Sequence, residues 1–595
     1  MDDLQNMRHS LAHILAYAVQ DLYKDVKFGV GPVIDNGFYY DFDLSETISE
    51  DDLGKIEKKM KEIVKVDHSF DREELNLADA KSKAELQNQP YKVELINDLA
   101  TKGTTDANAD VGGENQSVDS ATFYTIGDFT DLCRGGHVDS TGQVGAFKLT
   151  RASGAYWRGD ENNPQMQRVY GVAFDTQEEL DAYLKQQEEA KERDHRRLGQ
   201  ELDLFLTSPL VGSGLPMFTR RGTVLRDLLG RYTQQLRKKR GFDQVWTPHM
   251  TKNDLYKKSG HWEKFGDELF LVKSQETSDE LVLKPMNCPH HTQIFASQQR
   301  SYRDLPIRFM ENTTDYRDEK SGELHGLSRV RSLTQDDSHV FCRSDQIEEE
   351  ATKLISAAQE MYSEFEMDLS FVLSFKDETD NYLGDNELWN GAQESLKNLA
   401  DANNLAYRID EGEAAFYGPK IDFKATDAIG REWQVATVQL DFVQPSRFEL
   451  SYIDENGEAQ TPVMIHCALL GTIERFLSVY IEHTNGHFPF WLAPEQIRIL
   501  TINDQVQEYV DEITTKLNDM VLMEPLKYNE LRWNVDNRSE SLGKKIREAR
   551  NMRVPMLFIV GPRDVKNSTV SIKIGDEEQT IDLEKLTDFI LNQDK

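Results

Sequence analysis

YRDEKSGELHGLSRVRSLTQDDSHVFC, residues 316–342, is the stretch on which the reading of this chain turns. Arg317, Arg329 and Arg331 flank a glycine-containing, hairpin-like turn. Arginine presents a planar fork that grips phosphate through paired bonds, so three around one turn suit a triphosphate. Glu319 can accept a hydrogen bond from an exocyclic amine, and Gln335, Asp336 and Asp337 can hold a substrate amine or hydroxyl. The same run also reads as a solvated charged hairpin, the commoner fate of such a sequence.

Two other segments extend that reading. LGTIERF, residues 470–476, places Arg475 at a helix start, where an arginine faces a phosphate or an adenine. GKKIREARNMR, residues 543–553, is the densest basic stretch of the tail and is either an RNA-facing patch or an ordinary charged helix face. Near the N-terminus, His9 and His13 share one helical face. Cys133 and His137 repeat the spacing in DLCRGGH, where two glycines argue for a turn. Together the two pairs form either a four-ligand zinc site or a water-activating hydrolytic pocket, unless they are histidines satisfied within a core.

The whole chain sets the bounds. Its 595 residues carry 69 Lys and Arg against 104 Asp and Glu, a formal net charge of −35. That excludes a generally sticky nucleic-acid binder and confines any RNA contact to local patches. Length suggests roughly three to five domains. Four scattered cysteines exclude a disulfide-built scaffold and fit a reducing cytoplasm. No apolar run reaches the ~18–20 residues of a membrane span, and the N-terminus lacks the pattern of a secretory signal.

Periodicity predicts a helix over 8–23, strands around 28–43 and a charged helix over about 50–65. Residues 101–120 read as a loop insertion. Strands resume over 121–175, a polar helical linker covers 176–200, and a mixed region runs over 201–494. The tail alternates strand 497–502, helix 505–518, helix 539–551, strand 556–560 and a final helix, as in a small α/β domain.

Read in order, RHSLAHILA (8–16), VGPVIDNGFYYDFD (30–43), GDFTDLCRGGHV (127–138), GAYWRGDENNPQMQRVYG (154–171), KPMNCPHH (284–291), the 316–342 stretch, FYGPKIDF (416–423), EWQVATVQLDF (432–442) and HCALLGTIERF (466–476) add up to a family. The chain resembles the bacterial-type threonyl-tRNA synthetases, class II enzymes, over almost its whole length. The resemblance implies a multidomain α+β and α/β protein. It has an editing domain over 1–175, the linker over 176–200, an antiparallel-sheet catalytic domain over 201–494 and an α/β anticodon-binding domain over 495–595. Most relatives carry a further N-terminal domain, and the resemblance begins at the editing domain.

The implied activity is an ATP-dependent threonine–tRNA ligase, forming threonyl-adenylate and charging tRNA(Thr). Its partners would be ATP, threonine, tRNA(Thr) and a second copy across motif 1, 221–250, with no membrane. By family match Arg317 bridges the α-phosphate and the carboxylate, Glu319 meets the adenine amine, and Arg329 meets the terminal phosphate. Arg475 covers the nucleotide, Gln434 and Lys420 complete the site, and Mg2+ accompanies ATP. One Zn2+ per chain would be held by Cys288, His339 and His466, with Asp337, Tyr417 and Gln439 shaping the threonine pocket. Zinc answers the threonine–valine problem, since an apolar pocket separates such isosteres by only about a hundredfold. It cannot reject serine, so hydrolysis of seryl-tRNA falls to His9, His13, Lys92, Asp131, Cys133 and His137; the resemblance implies a pocket that uses water without bound metal, the alternative being zinc, as in the related alanyl editing domains. The alternative is a paralogue that binds or edits tRNA without charging it.

Four departures stand out. Leu333 occupies the place of the phenylalanine that stacks on adenine, Gly136 that of the proline in CRGPH, and Cys467 that of an arginine common after the zinc histidine. Residues 101–120 are an insertion.

Overall fold

Helix Asp3–Leu22 is buried from Met7 through Val19 at every position but His9, because RHSLAHILAYAV carries apolar residues on nearly every face. It takes the polar side chains of Arg8, Ser10 and His13 inward with it. The computed structural model describes residues 3–104, 118–160, 162–379, 381–523 and 530–593. Most of the predicted insertion, residues 105–117, lies outside the described residues. The chain divides into two compact units, Met1–Glu188 and Glu189–Lys595.

In the first unit the opening helix packs on a five-stranded sheet whose longer strands are Gly37–Asp43, Gln165–Phe174 and Ala146–Tyr156. Strict alternation in GFYYDFD buries Phe38, Tyr40 and Phe42. Gly37 is required by the close approach of the neighbouring strand, since a Cβ there would lie 2.0 Å from the Gly171 carbonyl oxygen. A separate three-stranded sheet, Asp71–Asn76, Ser120–Ile126 and Phe129–Leu132, carries Asp131 and leads into Cys133.

The predicted linker is two helices, Gln177–Glu192 and His195–Glu201, and Asp194 caps the second by accepting the Arg196 N–H. The second unit is built on an eight-stranded sheet. Its central strands run Ile307–Tyr316, Ser332–Cys342, Val463–Thr472, Glu432–Asp441, Lys420–Thr426 and Asp368–Phe375, all antiparallel. Short parallel strands close both edges.

The 335–337 stretch breaks the ladder. Gln335 pairs with Thr472 and Asp337 with Ala468, so one residue opposes three. The Asp336 carboxylate repairs the gap by accepting the N–H groups of Leu469 (3.1 Å) and Leu470 (3.0 Å). The bent strand then ends at Thr472, which caps helix Ile473–Thr484 by accepting the Arg475 N–H. Arg475 therefore stands in the first turn, as expected.

The tail forms a five-stranded sheet in which Trp533–Asp536, Ile497–Thr501 and Met556–Val560 are parallel. MLFIV is buried throughout, as in strands covered on both faces. Strands Thr569–Ile574 and Glu577–Asp582 were not legible; EEQTID is an exposed edge with almost no apolar residue. Within the basic stretch 543–553, Arg547 and Arg550 are exposed but one lysine turns inward. Lys545 is buried and its Nζ donates to the carbonyls of Thr501 (2.9 Å) and Asp536 (3.0 Å), tying two parallel strands together.

Candidate functional site: a cleft and a separate histidine–cysteine pocket

Strands Ser332–Cys342 and Val463–Thr472 place His339 directly opposite His466, and helix Cys288–Ala296 brings Cys288 over them. One ligand atom from each residue lies within 4.8 Å of the others. The ring orientations are set from behind. His339 Nδ1 lies 2.7 Å from His291 Nδ1, and His466 Nε2 lies 2.9 Å from Asp441 Oδ2. That leaves His339 Nε2 and His466 Nδ1 facing each other at 3.1 Å. Zinc–nitrogen bonds of ~2.0–2.1 Å in a tetrahedral site separate two ligand nitrogens by about 3.3 Å, so this donor set fits that ion. Burial pushes the Cys288 thiol up and holds His339 neutral, the form in which imidazole ligates.

Sequence reasoning missed the supporting shell. His291 and Asp441 were visible only as parts of motifs, and Glu311 and His261 not at all. Burial would raise the Glu311 pKa, but bonds from His291 and the Thr247 N–H, with the Lys284 charge, hold it at about 2. No local spacing announces such partners.

A cavity of about 30 Å³ adjoins the three ligands, lined also by Asp337, Tyr417 and Gln439. It has room for roughly two or three heavy atoms, which suits a small side chain. Tyr417 donates to Gln439 Oε1 at 2.6 Å and stacks on His466 with centroids 4.7 Å apart. All three predicted pocket residues are thus brought together.

The nucleotide residues are less uniform. Lys420 Nζ (2.8 Å) and Gln434 Nε2 (2.7 Å) meet on Asp422, a hub absent from the sequence reading. Arg317 lies over the Phe265 ring, 5.3 Å from its centroid. Arg329 is ion-paired to Glu319 at 2.7 Å and to Glu323 at 2.6 Å. Residues expected at opposite ends of ATP therefore hold each other here. Leu333 shares the face of Gln335, Asp337 and His339 by strand alternation and is buried. Cys467, where relatives often have arginine, does have a guanidinium beside it. Arg237, from helix Arg220–Lys238, donates to the carbonyls of Asp336 (2.8 Å) and Cys467 (3.3 Å) and pairs with the Asp336 carboxylate at 3.2 Å.

In the first unit Cys133 Sγ lies 3.3 Å from both His9 Nε2 and His137 Nε2. His13 and His137 ring centroids are 4.5 Å apart. Beneath them Lys92 Nζ pairs with Asp131 at 2.6 Å, and Tyr40 donates to the same carboxylate. A cavity of about 630 Å³ opens over His9, His13, Lys92, Asp131 and Cys133. All six predicted residues meet here. Burial pushes the Cys133 thiol up to about 12, and holds His9, His13 and His137 below the ordinary histidine range. A thiol so weakly acidic is a poor nucleophile, and the imidazoles are neutral, the form with a nitrogen free to accept a hydrogen bond from water. Gly136 has φ +87°, which proline, fixed near −65°, cannot adopt; the loop takes a path closed to CRGPH.

Comparison with known proteins matches three domains along the chain. Residues 270–484 match the family described as tRNA synthetase class II core domain (G, H, P, S and T). Residues 121–170 match the threonyl and alanyl tRNA synthetase second additional domain, and residues 496–593 an anticodon binding domain. The chain is 45% identical to a threonine–tRNA ligase from Gloeobacter violaceus, over 96% of this chain and 89% of that one. It is 43% identical to one from Staphylococcus aureus, over 97% of this chain and 86% of the relative. A solved structure of a threonyl-tRNA synthetase RNA-binding domain from Cryptosporidium parvum has TM-score 0.63 and 33% identity, over 67% of this chain and 98% of that one. A Giardia lamblia prolyl-tRNA synthetase, 18% identical with TM-score 0.53 over 68% of this chain and 76% of its own, shares the fold alone. By sequence across nearly its full length, and by three matched domains in order, the chain belongs to the threonine–tRNA ligase family.

Proposed function

We propose that the cleft between Cys288, Arg317 and Arg475 activates threonine and that the histidine–cysteine pocket removes serine. The observation that carries the reading is the joining of Cys288, His339 and His466 beside a cavity lined by Asp337, Tyr417 and Gln439. The threonine carboxylate attacks the α-phosphorus of ATP and pyrophosphate leaves; the terminal ribose hydroxyl of tRNA(Thr) then attacks the acyl carbon and AMP leaves. Arg317 neutralises the α-phosphate and the carboxylate, and Arg475 covers the nucleotide from the helix start. Gln434 and Lys420, oriented by Asp422, complete the ATP site, and Mg2+ enters with ATP. Arg329 reaches the terminal phosphate by exchanging its carboxylate partners for it, and Glu319, so released, meets the adenine amine. A zinc ion on the three ligands supplies Lewis-acid contacts for an amine and a hydroxyl together, which valine lacks.

Threonine-dependent ATP–pyrophosphate exchange tests the reading, with serine and valine alongside. Strong exchange with threonine, weak with serine and none with valine is expected. No exchange with any of them, on folded protein holding one zinc per chain, would sink the charging reading and favour a non-charging paralogue. Leu333→Phe should restore an adenine stack worth roughly 1–3 kcal/mol and lower the ATP KM several-fold or more. An unchanged KM would remove Leu333 from the nucleotide site.

The editing pocket is assigned to water. Neutral His9, His13 and His137 accept the proton of the attacking water and pass it to the ribose oxygen as the acyl–oxygen bond breaks, with the Cys133 thiol against His9 and His137 and the Lys92–Asp131 pair fixing the floor. His137→Ala should slow seryl-tRNA deacylation at least about 10²-fold and leave threonine activation intact. Seryl-tRNA hydrolysis at the parent rate would refute the assignment.

We assign 1–175 to editing, 176–200 to the linker, 201–494 to catalysis and 495–595 to anticodon binding. Exposed Trp246, Met250 and Leu271 support a homodimer across motif 1. Among the described residues no helix is long and apolar enough to cross a membrane, and four free cysteines suit a cytoplasmic setting.

A further inference from the structure

One buried imidazole outside these sites is engaged at both nitrogens. His195, which opens the helix His195–Glu201, is 1% exposed. Its Nδ1 lies 2.7 Å from Glu482 Oε1, and its backbone N–H donates to the same oxygen at 3.1 Å. Its Nε2 lies 3.0 Å from the Leu327 backbone N–H. A backbone N–H can only donate, so Nε2 carries no proton and the ring is neutral with its proton on Nδ1, facing Glu482.

Both partners sit on segments that serve the nucleotide. Leu327 belongs to the loop between strands Ile307–Tyr316 and Ser332–Cys342, two residues before Arg329. Glu482 lies on helix Ile473–Thr484, which carries Arg475 in its first turn. The base of the loop is anchored by Asp318 N–H to the Glu268 carbonyl (2.8 Å) and Arg331 N–H to the Gly214 carbonyl (2.7 Å). The turn between them rests on His195. Gly326 is required there, with φ +51° and a Cβ position only 2.1 Å from His195 Nε2. The other carboxylate oxygen of Glu482 takes Arg431, which pairs with Asp427 at 2.7 Å. Asp427 accepts the Trp433 indole N–H at 2.9 Å, next to Gln434.

We propose that His195 is a positioning residue for ATP: a neutral imidazole, its tautomer set by Glu482, that holds the Gly326–Leu327 turn so that Glu319 and Arg329 face the nucleotide. The proposal rests on the ATP site assigned above. It gives the first residue of the His195–Glu201 helix a role in nucleotide binding that its own charge does not supply.

The test is threonine-dependent pyrophosphate exchange on the full chain. His195→Ala should raise the ATP KM about tenfold, the worth of one buried hydrogen bond, with threonine KM and zinc content within twofold. His195→Gln, whose Oε1 can accept the Leu327 N–H, should recover part of that rise. The Arg329→Ala effect on ATP KM should shrink in the His195→Ala background, because both act through one loop. Equal rises in both KM values, a lowered Tm with unchanged ATP KM, or full additivity with Arg329→Ala would each overturn the proposal. An Arg329→Ala variant with normal ATP KM would instead remove the ATP-site reading beneath it. Should His195→Ala fail to fold, Glu482→Gln carries the same expectation with a smaller rise.

Discussion

Cys288→Ala is expected to yield a folded enzyme that has lost its zinc and, with it, about 10³-fold or more of threonine-dependent exchange. Cys288 is 1% exposed and contributes the single thiolate of the donor set. Removing it leaves two imidazoles, and two neutral ligands hold zinc far more weakly than three with a thiolate. Selectivity should fall with rate. A site built to engage a hydroxyl rejects the analogue without it by about 10⁴–10⁵, an apolar pocket by about a hundredfold. The residual exchange should therefore discriminate poorly between threonine and valine. A milder lesion at the back of the site gives a graded check. Asp441 orients His466 from 2.9 Å, and Asp441→Asn should weaken zinc affinity about ten- to a hundredfold with the ligands intact. Metal analysis and exchange on the same preparations decide the matter. Normal zinc content in Cys288→Ala would place the metal elsewhere.

The three ligands show what a sequence can and cannot carry. Cys288, His339 and His466 are separated by 51 and 127 positions, so spacing could not join them; only the resemblance did. His9 and His13 were legible from helical periodicity alone, because neighbours one turn apart share a face. Asp422, Asp441 and His195 were not legible. Asp441 and His195 act through bonds to residues 25 and 287 positions away, and Asp422 joins Lys420 to Gln434 only because their two strands pair. The same holds for strand Glu577–Asp582, whose pairing with Thr569–Ile574 comes from backbone bonds that composition does not encode. The absent arginine at Cys467 was visible as a departure, but its replacement was not. Arg237 reads as one more cation in the run LRKKR.

Arg237 is where the second large effect is expected. The guanidinium is 1% exposed and the Asp336 side chain is fully buried. Burial pushes the Asp336 carboxyl up to about 6 even with Arg237 beside it. Without that charge, Arg237→Met leaves a buried carboxylate supported only by the N–H groups of Leu469 and Leu470. Breaking a buried pair by removing one partner costs about 3–5 kcal/mol, and the shift in denaturant midpoint should report that loss near pH 7.5. The deficit should then shrink as pH falls. A carboxyl whose folded pKa lies above its unfolded value destabilises the fold when ionised, and the strain is relieved as it takes up a proton. In Arg237→Met the carboxyl stands higher still, so relief should begin above pH 6. Arg237→Met with Asp336→Asn should recover part of the loss at pH 7.5, since the amide oxygen still accepts one strand N–H and carries no charge. The catalytic consequence follows from the bend that Asp336 supports. That bend delivers Thr472 to the helix start and Arg475 to its first turn. Residual folded Arg237→Met should therefore show a raised ATP KM in addition to its lower stability. A variant as stable as the parent at pH 7.5, or a deficit that grows on acidification, would show that Asp336 is not held as an anion by Arg237.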